Sequence, residues 1–123
     1  MVKLVFCLRR KPELSLAEFQ RYWRENHAPL VQSHAETLRI RRYVQVHTMD
    51  NPANEAFRRG RGGPEGFDGV AELWWDSLDD LMAGGSTDEG RAAGRALLED
   101  ERRFIDLANS PLWVAEEHEF VNR

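Results

Sequence analysis

From Val2 to Arg9 the chain is mostly apolar and rich in β-formers, with Leu4, Val5, Phe6, Cys7 and Leu8 in an unbroken row. A strand buried on both faces, near the centre of a sheet, has this pattern. Pro12 closes it, and Ser15 followed by Glu18 has capping-box spacing, in which each side chain satisfies a free backbone N–H of the other residue. A helix is therefore predicted from Ser15. Its apolar stripe runs through Leu16, Phe19, Trp23, His27, Leu30 and Val31 at helical spacing, so a histidine occupies a position where periodicity expects leucine. Pro29 offers no N–H to the carbonyl of Glu25 and its ring crowds the preceding turn, so the helix should bend or restart beside His27.

The stretch from Leu38 to Met49 alternates, with Ile40, Val44 and Val46 on one side and Arg41, Tyr43, Gln45 and His47 on the other. It predicts a second strand, and alternation alone leaves open which side looks at the helices. Asp50 to Phe67 carries Pro52, Pro64, Gly60, Gly62, Gly63 and Gly66 without a sustained period. This reads as a long loop with room for a helical turn over Ala53 to Arg59. Phe67 to Trp75 predicts a third strand, with Val70, Glu72 and Trp74 on one face and Ala71, Leu73 and Trp75 on the other. Ser77 with Asp80 opens a short helix that Gly84 and Gly85 end, and Thr87 or Asp88 opens a longer one reaching about Ala108. Its stripe is Ala93, Leu97, Glu101, Phe104 and Ala108, and Glu101 interrupts it as His27 interrupts the first. Gly94 in mid-helix costs about 1 kcal/mol relative to alanine. After Pro111, Leu112 to Val121 alternates with both faces partly polar, which suits a charged edge strand.

The order β, α, β, β, α, β predicts an α+β domain, a split βαβ arrangement with two helices on one face of a four-stranded antiparallel sheet. With 123 residues the chain is expected to form one domain, 1–123. The other sheet face is left bare. Four tryptophans, six phenylalanines and two tyrosines are more aromatic surface than two helices hide, so that face should bury itself against a second copy, giving a homodimer.

Charge and cysteine content narrow the function classes. A formal charge of -4 would repel a phosphate backbone, so no nucleic-acid partner is expected. The basic groups Arg39, Arg41, Arg42 and Arg58, Arg59, Arg61 read as solvated faces or, alternatively, as anchors for a substrate carboxylate. Cys7 is the only cysteine, which rules out an intrachain disulfide and suits a reducing compartment. The first apolar run is too short for a membrane span or a signal segment and meets Arg9, Arg10 and Lys11, so a cytoplasmic protein with no membrane partner is expected.

Among groups able to carry chemistry, His27 is an imidazole on the inner stripe of a helix beside a proline break, where burial can tune it for proton transfer near neutrality. The alternative is a core histidine bonded to a carbonyl or to Glu72. Glu72 sits among apolar strand residues and needs a partner, which is either His27 or an arginine, or a raised pKa. Tyr43 and His47 share a strand face and, with Trp74 and Phe104, form a candidate aromatic cavity for a flat small-molecule substrate. Trp23 and Glu101, on the two inner stripes, complete the candidate binding set. No metal is expected. His27 and His34 stand about 10 Å apart by helical rise, and neither an HxH nor an HExxH pattern occurs. No glycine-rich turn leads from a strand into a helix, so no nucleotide cofactor is expected either. Cys7 on an apolar strand is a poor nucleophile.

The segment from Phe19 through Trp23 and His27 to Val31 resembles the helix motif of the EthD family, and Tyr43 to His47 resembles its second strand. Phe67 to Trp75, Glu99 to Asp106 and Glu116 to His118 are similar to that family's third strand, second helix and last strand. The resemblance implies a ferredoxin-like protomer assembled as a dimeric α+β barrel, from a superfamily that includes lactone isomerases and cofactor-free monooxygenases. It leaves two functions open. One is a cofactor-free enzyme of decarboxylase, dehydratase or isomerase type acting on an aromatic, polyketide-like or lactone substrate, with His27 and Glu72 catalytic. The other is a non-catalytic, ligand-binding accessory dimer of an oxygenase or catabolic pathway.

Overall fold

The computed structural model describes residues 1–123, and in it β1 (Val2–Leu8) lies between β3 (Gly69–Trp75) and β4 (Leu112–Glu116), with β2 (Arg42–His47) outside β3. All three pairings are antiparallel and the order is β2-β3-β1-β4, the ferredoxin-like arrangement. The central position of β1 explains its unbroken apolar run. Register decides the faces. Tyr43 stands opposite Leu73, Gln45 opposite Ala71 and His47 opposite Gly69, and Leu4 and Phe6 oppose Leu73 and Ala71 from the other side. These residues share the face that the helices cover. Val44, Glu72, Val5 and Trp113 lie in line across the other face, which no helix covers.

Helix α1 (Leu16–Tyr22) begins as its sequence requires: Glu18 N–H donates to the Ser15 hydroxyl and Ser15 N–H to the Glu18 carboxylate. The break predicted beside His27 takes the form of a π turn over Trp23–His27, closed by the Ala28 N–H on the Trp23 carbonyl, after which α2 (Ala28–His34) restarts with Pro29 in its first turn. The backbone stays helical through the junction, and the π turn accommodates the i−4 bond that Pro29, without an N–H, cannot make.

The structure corrects several boundaries. Helix α3 (Pro52–Arg61) occupies much of the stretch expected as loop; Asn51 caps it, and Gly62 ends it in the left-handed region at φ 63°. It buries no residue. Its apolar positions, Ala53, Ala56 and Phe57, form only a short stripe and all stay exposed, so the periodic signal is weak. Helix α4 (Leu78–Gly84) and helix α5 (Asp88–Glu101) start at the Ser77 and Thr87 caps. α5 stops well before Ala108 because the following backbone is claimed by the segment after β1: Lys11 N–H donates to Phe104 O and Asp106 N–H to Arg9 O. β4 ends at Glu116 rather than Val121.

Phe19, Trp23, Phe104 and Leu8 are the largest fully buried side chains and join the π turn to β1 and the end of α5. Trp23 lies flat on β3 only because position 69 is glycine. A Cβ there would stand 2.4 Å from the indole. On the open face Lys3 binds Glu72 at 2.5 Å, and Lys3 and Arg42 both lie over the Trp74 ring. No helix is long and apolar enough to cross a membrane.

Candidate functional site

Between the helix-covered face of the sheet, the π turn and α5 lies a cavity of about 340 Å³. Eighteen residues line it and fifteen are hydrophobic, so its occupant is selected for apolar surface. The three exceptions are His27, Glu101 and Gly94.

His27 reaches the wall from the last position of the π turn and is 5% exposed. Turns of this kind put an extra residue into the helix and recur at functional sites because they re-aim side chains. Its Nδ1 lies 2.7 Å from Asp100 Oδ2, and the other Asp100 oxygen accepts from the Tyr22 hydroxyl at 2.5 Å. A carboxylate at Nδ1 fixes the neutral tautomer with its proton on that nitrogen, which leaves the Nε2 lone pair for a ligand. Burial lowers the His27 pKa, and the hydrogen bond and charge of Asp100 oppose that shift. Burial also pushes the Tyr22 phenol upward, and its bond to Asp100 adds to this.

Glu101 follows Asp100 at the end of α5. Burial first, and the Asp100 charge second, raise its pKa to about 7. Its carboxyl therefore exists in both protonation states at neutral pH, within the same apolar wall as His27. Tyr43 joins the wall from β2, its phenol raised chiefly by burial and held by Gln45 Nε2 at 2.7 Å. The same amide donates to the Trp23 carbonyl at 2.9 Å, and Gln45 Oε1 meets His47 Nε2 at 2.8 Å. His47 in turn stacks on Trp23, 4.5 Å between ring centres.

The structure thus brings His27, Glu101, Trp23 and Tyr43 to one wall. His47 and Phe104 stand behind it, the first locked by Gln45 and Trp23, the second packed on Phe19, Tyr22 and His27. Glu72 and Trp74 do not meet His27. Strand parity puts both on the open face, where Lys3 is the partner of Glu72 and Trp74 Nε1 donates to Glu117. Glu72 therefore neither bonds nor orients His27, and Trp74 does not face Phe104 across a cavity. Cys7 is on that open face too, its thiol pushed up by burial. Asp100, which does orient His27, went unread in the sequence although it lies three residues from Leu97 and four from Phe104, as well placed on the stripe as Glu101. No three histidine, cysteine, aspartate or glutamate side chains converge to hold a metal ion.

Known proteins share this architecture. The sequence profile of the EthD domain matches residues 11–108, which include the π turn, β2, β3 and all of α5. The chain belongs to the EthD family. Among solved structures, an ethyl tert-butyl ether D (EthD) family protein from Bacillus halodurans is 26% identical over 96% of this chain and 99% of its own, with a TM-score of 0.63. An EthD-like protein from Ralstonia eutropha is 17% identical over 94% of this chain and 90% of its own, TM-score 0.60. SnoaB, described as a cofactor-independent oxygenase from Streptomyces nogalater, aligns over 99% of this chain and 97% of its own at 14% identity and a TM-score of 0.58. The last two likenesses are of fold. A search of the curated proteins found no significant match.

Proposed function

We propose that this EthD-family chain, acting as one domain over residues 1–123, binds a small, largely apolar molecule in the cavity and moves a proton on it. The observation that supports this is the pairing, in an otherwise hydrophobic wall, of a histidine oriented by Asp100 with a carboxyl whose pKa is about 7. Neutral His27 takes a proton at Nε2 from an acidic C–H or O–H of the substrate, and the imidazolium so formed is stabilised by the Asp100 carboxylate at Nδ1. Glu101 in its protonated form donates to the oxygen on which charge develops, and low polarity around both groups strengthens each contact. The same pair returns the proton elsewhere in an isomerisation or releases hydroxide as water in a dehydration. These steps need only the side chains named. No arginine or lysine lies in the wall, so a neutral substrate suits it better than the carboxylate that a decarboxylation starts from.

The test uses a neutral bicyclic ketone, 2-tetralone, whose α-protons exchange with deuterated water when a base removes them. Wild type is expected to accelerate the exchange, and His27→Gln, which keeps a hydrogen-bonding side chain but cannot trade a proton near pH 7, to lose about 100-fold to 10,000-fold of that acceleration. Thermal unfolding checks that the variant is folded. Binding of 2-tetralone without faster exchange would favour the ligand-binding reading over catalysis; full exchange activity in a folded His27→Gln would remove the histidine from the mechanism.

A further inference from the structure

Five glycines lie inside helices or strands, Gly60, Gly69, Gly84, Gly90 and Gly94, and three of them have a packing reason. A Cβ at Gly69 would meet the Trp23 ring at 2.4 Å, one at Gly84 the Leu38 carbonyl oxygen at 2.5 Å, and one at Gly90 the Gly84 carbonyl oxygen at 1.8 Å. Gly94 differs. It lies in the middle of α5, where glycine is the poorest residue after proline, and a Cβ built on it meets no atom within 4 Å. The fold neither requires the glycine nor gains from it.

The cavity does gain. Only three of its lining residues are exposed to solvent: Gly94, Leu98 and Leu112. Gly94 and Leu98 are one turn apart on α5, and Leu112 opens β4, so the mouth of the cavity lies between that helix and that edge strand. Leu98 and Leu112, 38% and 53% exposed, supply apolar lips, and the missing side chain of Gly94 leaves a notch in the helix-side lip. We propose that Gly94 sets the width of ligand the cavity admits, and that its ligands are polycyclic, with an apolar ring system held through the notch while a hydroxyl or carbonyl reaches His27 and Glu101. This rests on the small-molecule reading of the cavity given above.

Two neutral hydroxyarenes of different width, 2-naphthol and 1-hydroxypyrene, measure it by equilibrium dialysis against wild type, Gly94→Ala and Gly94→Leu. Both substitutions add a better helix former at a site with open space, so both variants should unfold at or above the wild-type temperature. Gly94→Leu is expected to weaken 1-hydroxypyrene at least tenfold and to leave 2-naphthol within threefold, with Gly94→Ala between wild type and Gly94→Leu. Wild type that binds neither arene would overturn the cavity reading and this inference together. Wild type that binds both, with Gly94→Leu unchanged or weakened equally for the two, would overturn the role of Gly94 alone.

Discussion

Asp100 and Glu101 are neighbours in sequence with opposite fates. Asp100 is satisfied by two donors, whereas Glu101 meets the cavity without an ion-pair partner, and its pKa rises from an ordinary 4.5 to about 7. Because the folded-state value is the higher one, the stability tied to Glu101 is fully present below pH 4.5 and is lost as pH rises through 7. At pH 8 the buried charge costs up to about 3 kcal/mol, less what solvent at the cavity mouth returns. Glu101→Gln should therefore unfold at a higher temperature than wild type at pH 8 and at nearly the same temperature at pH 4.5. A difference that does not change with pH would contradict the assignment. His27 works in the other direction: its lowered pKa gives stability that is present above 6.5 and lost as pH falls. His27 was legible because a lone imidazole interrupts an apolar stripe. Asp100 was not, since two adjacent acids at the same turn both satisfy the period and periodicity alone does not separate them. Glu72 and Trp74 were misplaced for a different reason. Both faces of β3 are largely apolar, so alternation identifies two faces without saying which one the helices cover.

At the scale of elements, caps and breakers carried most of the information. Ser15, Ser77 and Thr87 each cap the helix their positions predict, and Pro29 marks the restart after the π turn. The same kind of signal was available for α3 in Asn51, Pro52 and Gly62, but its polar sequence and its four nearby glycines outweighed it. What no local pattern reveals is how closely two elements approach. Gly69 is such a point: its absent side chain lets the Trp23 indole lie on β3, and the Val46 carbonyl oxygen would stand only 3.0 Å from an added methyl. Neither a fused ring in a full core nor a sheet backbone yields easily. Gly69→Ala is expected to destabilise the fold by about 1 to 3 kcal/mol in denaturant unfolding, the usual cost of overpacking. An unchanged midpoint would show that Trp23 has room to move.

The whole molecule leaves one sheet face without helices. Val46 and Trp113 are nearly half exposed there, beside Lys3 and Glu72, which pair with each other and so present little net charge. The ferredoxin-like order of strands was readable from the βαββαβ sequence of elements, because short antiparallel connections permit few alternatives. A partner for the open face is an expectation that rests on the surplus of aromatic residues in the sequence. Light scattering at micromolar concentration is expected to give twice the chain mass, and Val46→Asp combined with Trp113→Asp to give the monomer, since two buried unpaired carboxylates oppose closure. A monomeric wild type would leave the face to another partner.

The placement of the four tryptophans divides them by task. Trp23 and Trp75 line the cavity, whereas Trp74 and Trp113 lie on the opposite side of the sheet. Indole emission shifts with local polarity, so the intrinsic spectrum of this chain is two superposed instruments, one reading the cavity and the other the open face. Phe in place of Trp74 and Trp113 isolates the first, and Phe in place of Trp23 and Trp75 the second. With those two variants, entry of a small molecule and self-association become separately visible in one cuvette, without an added dye.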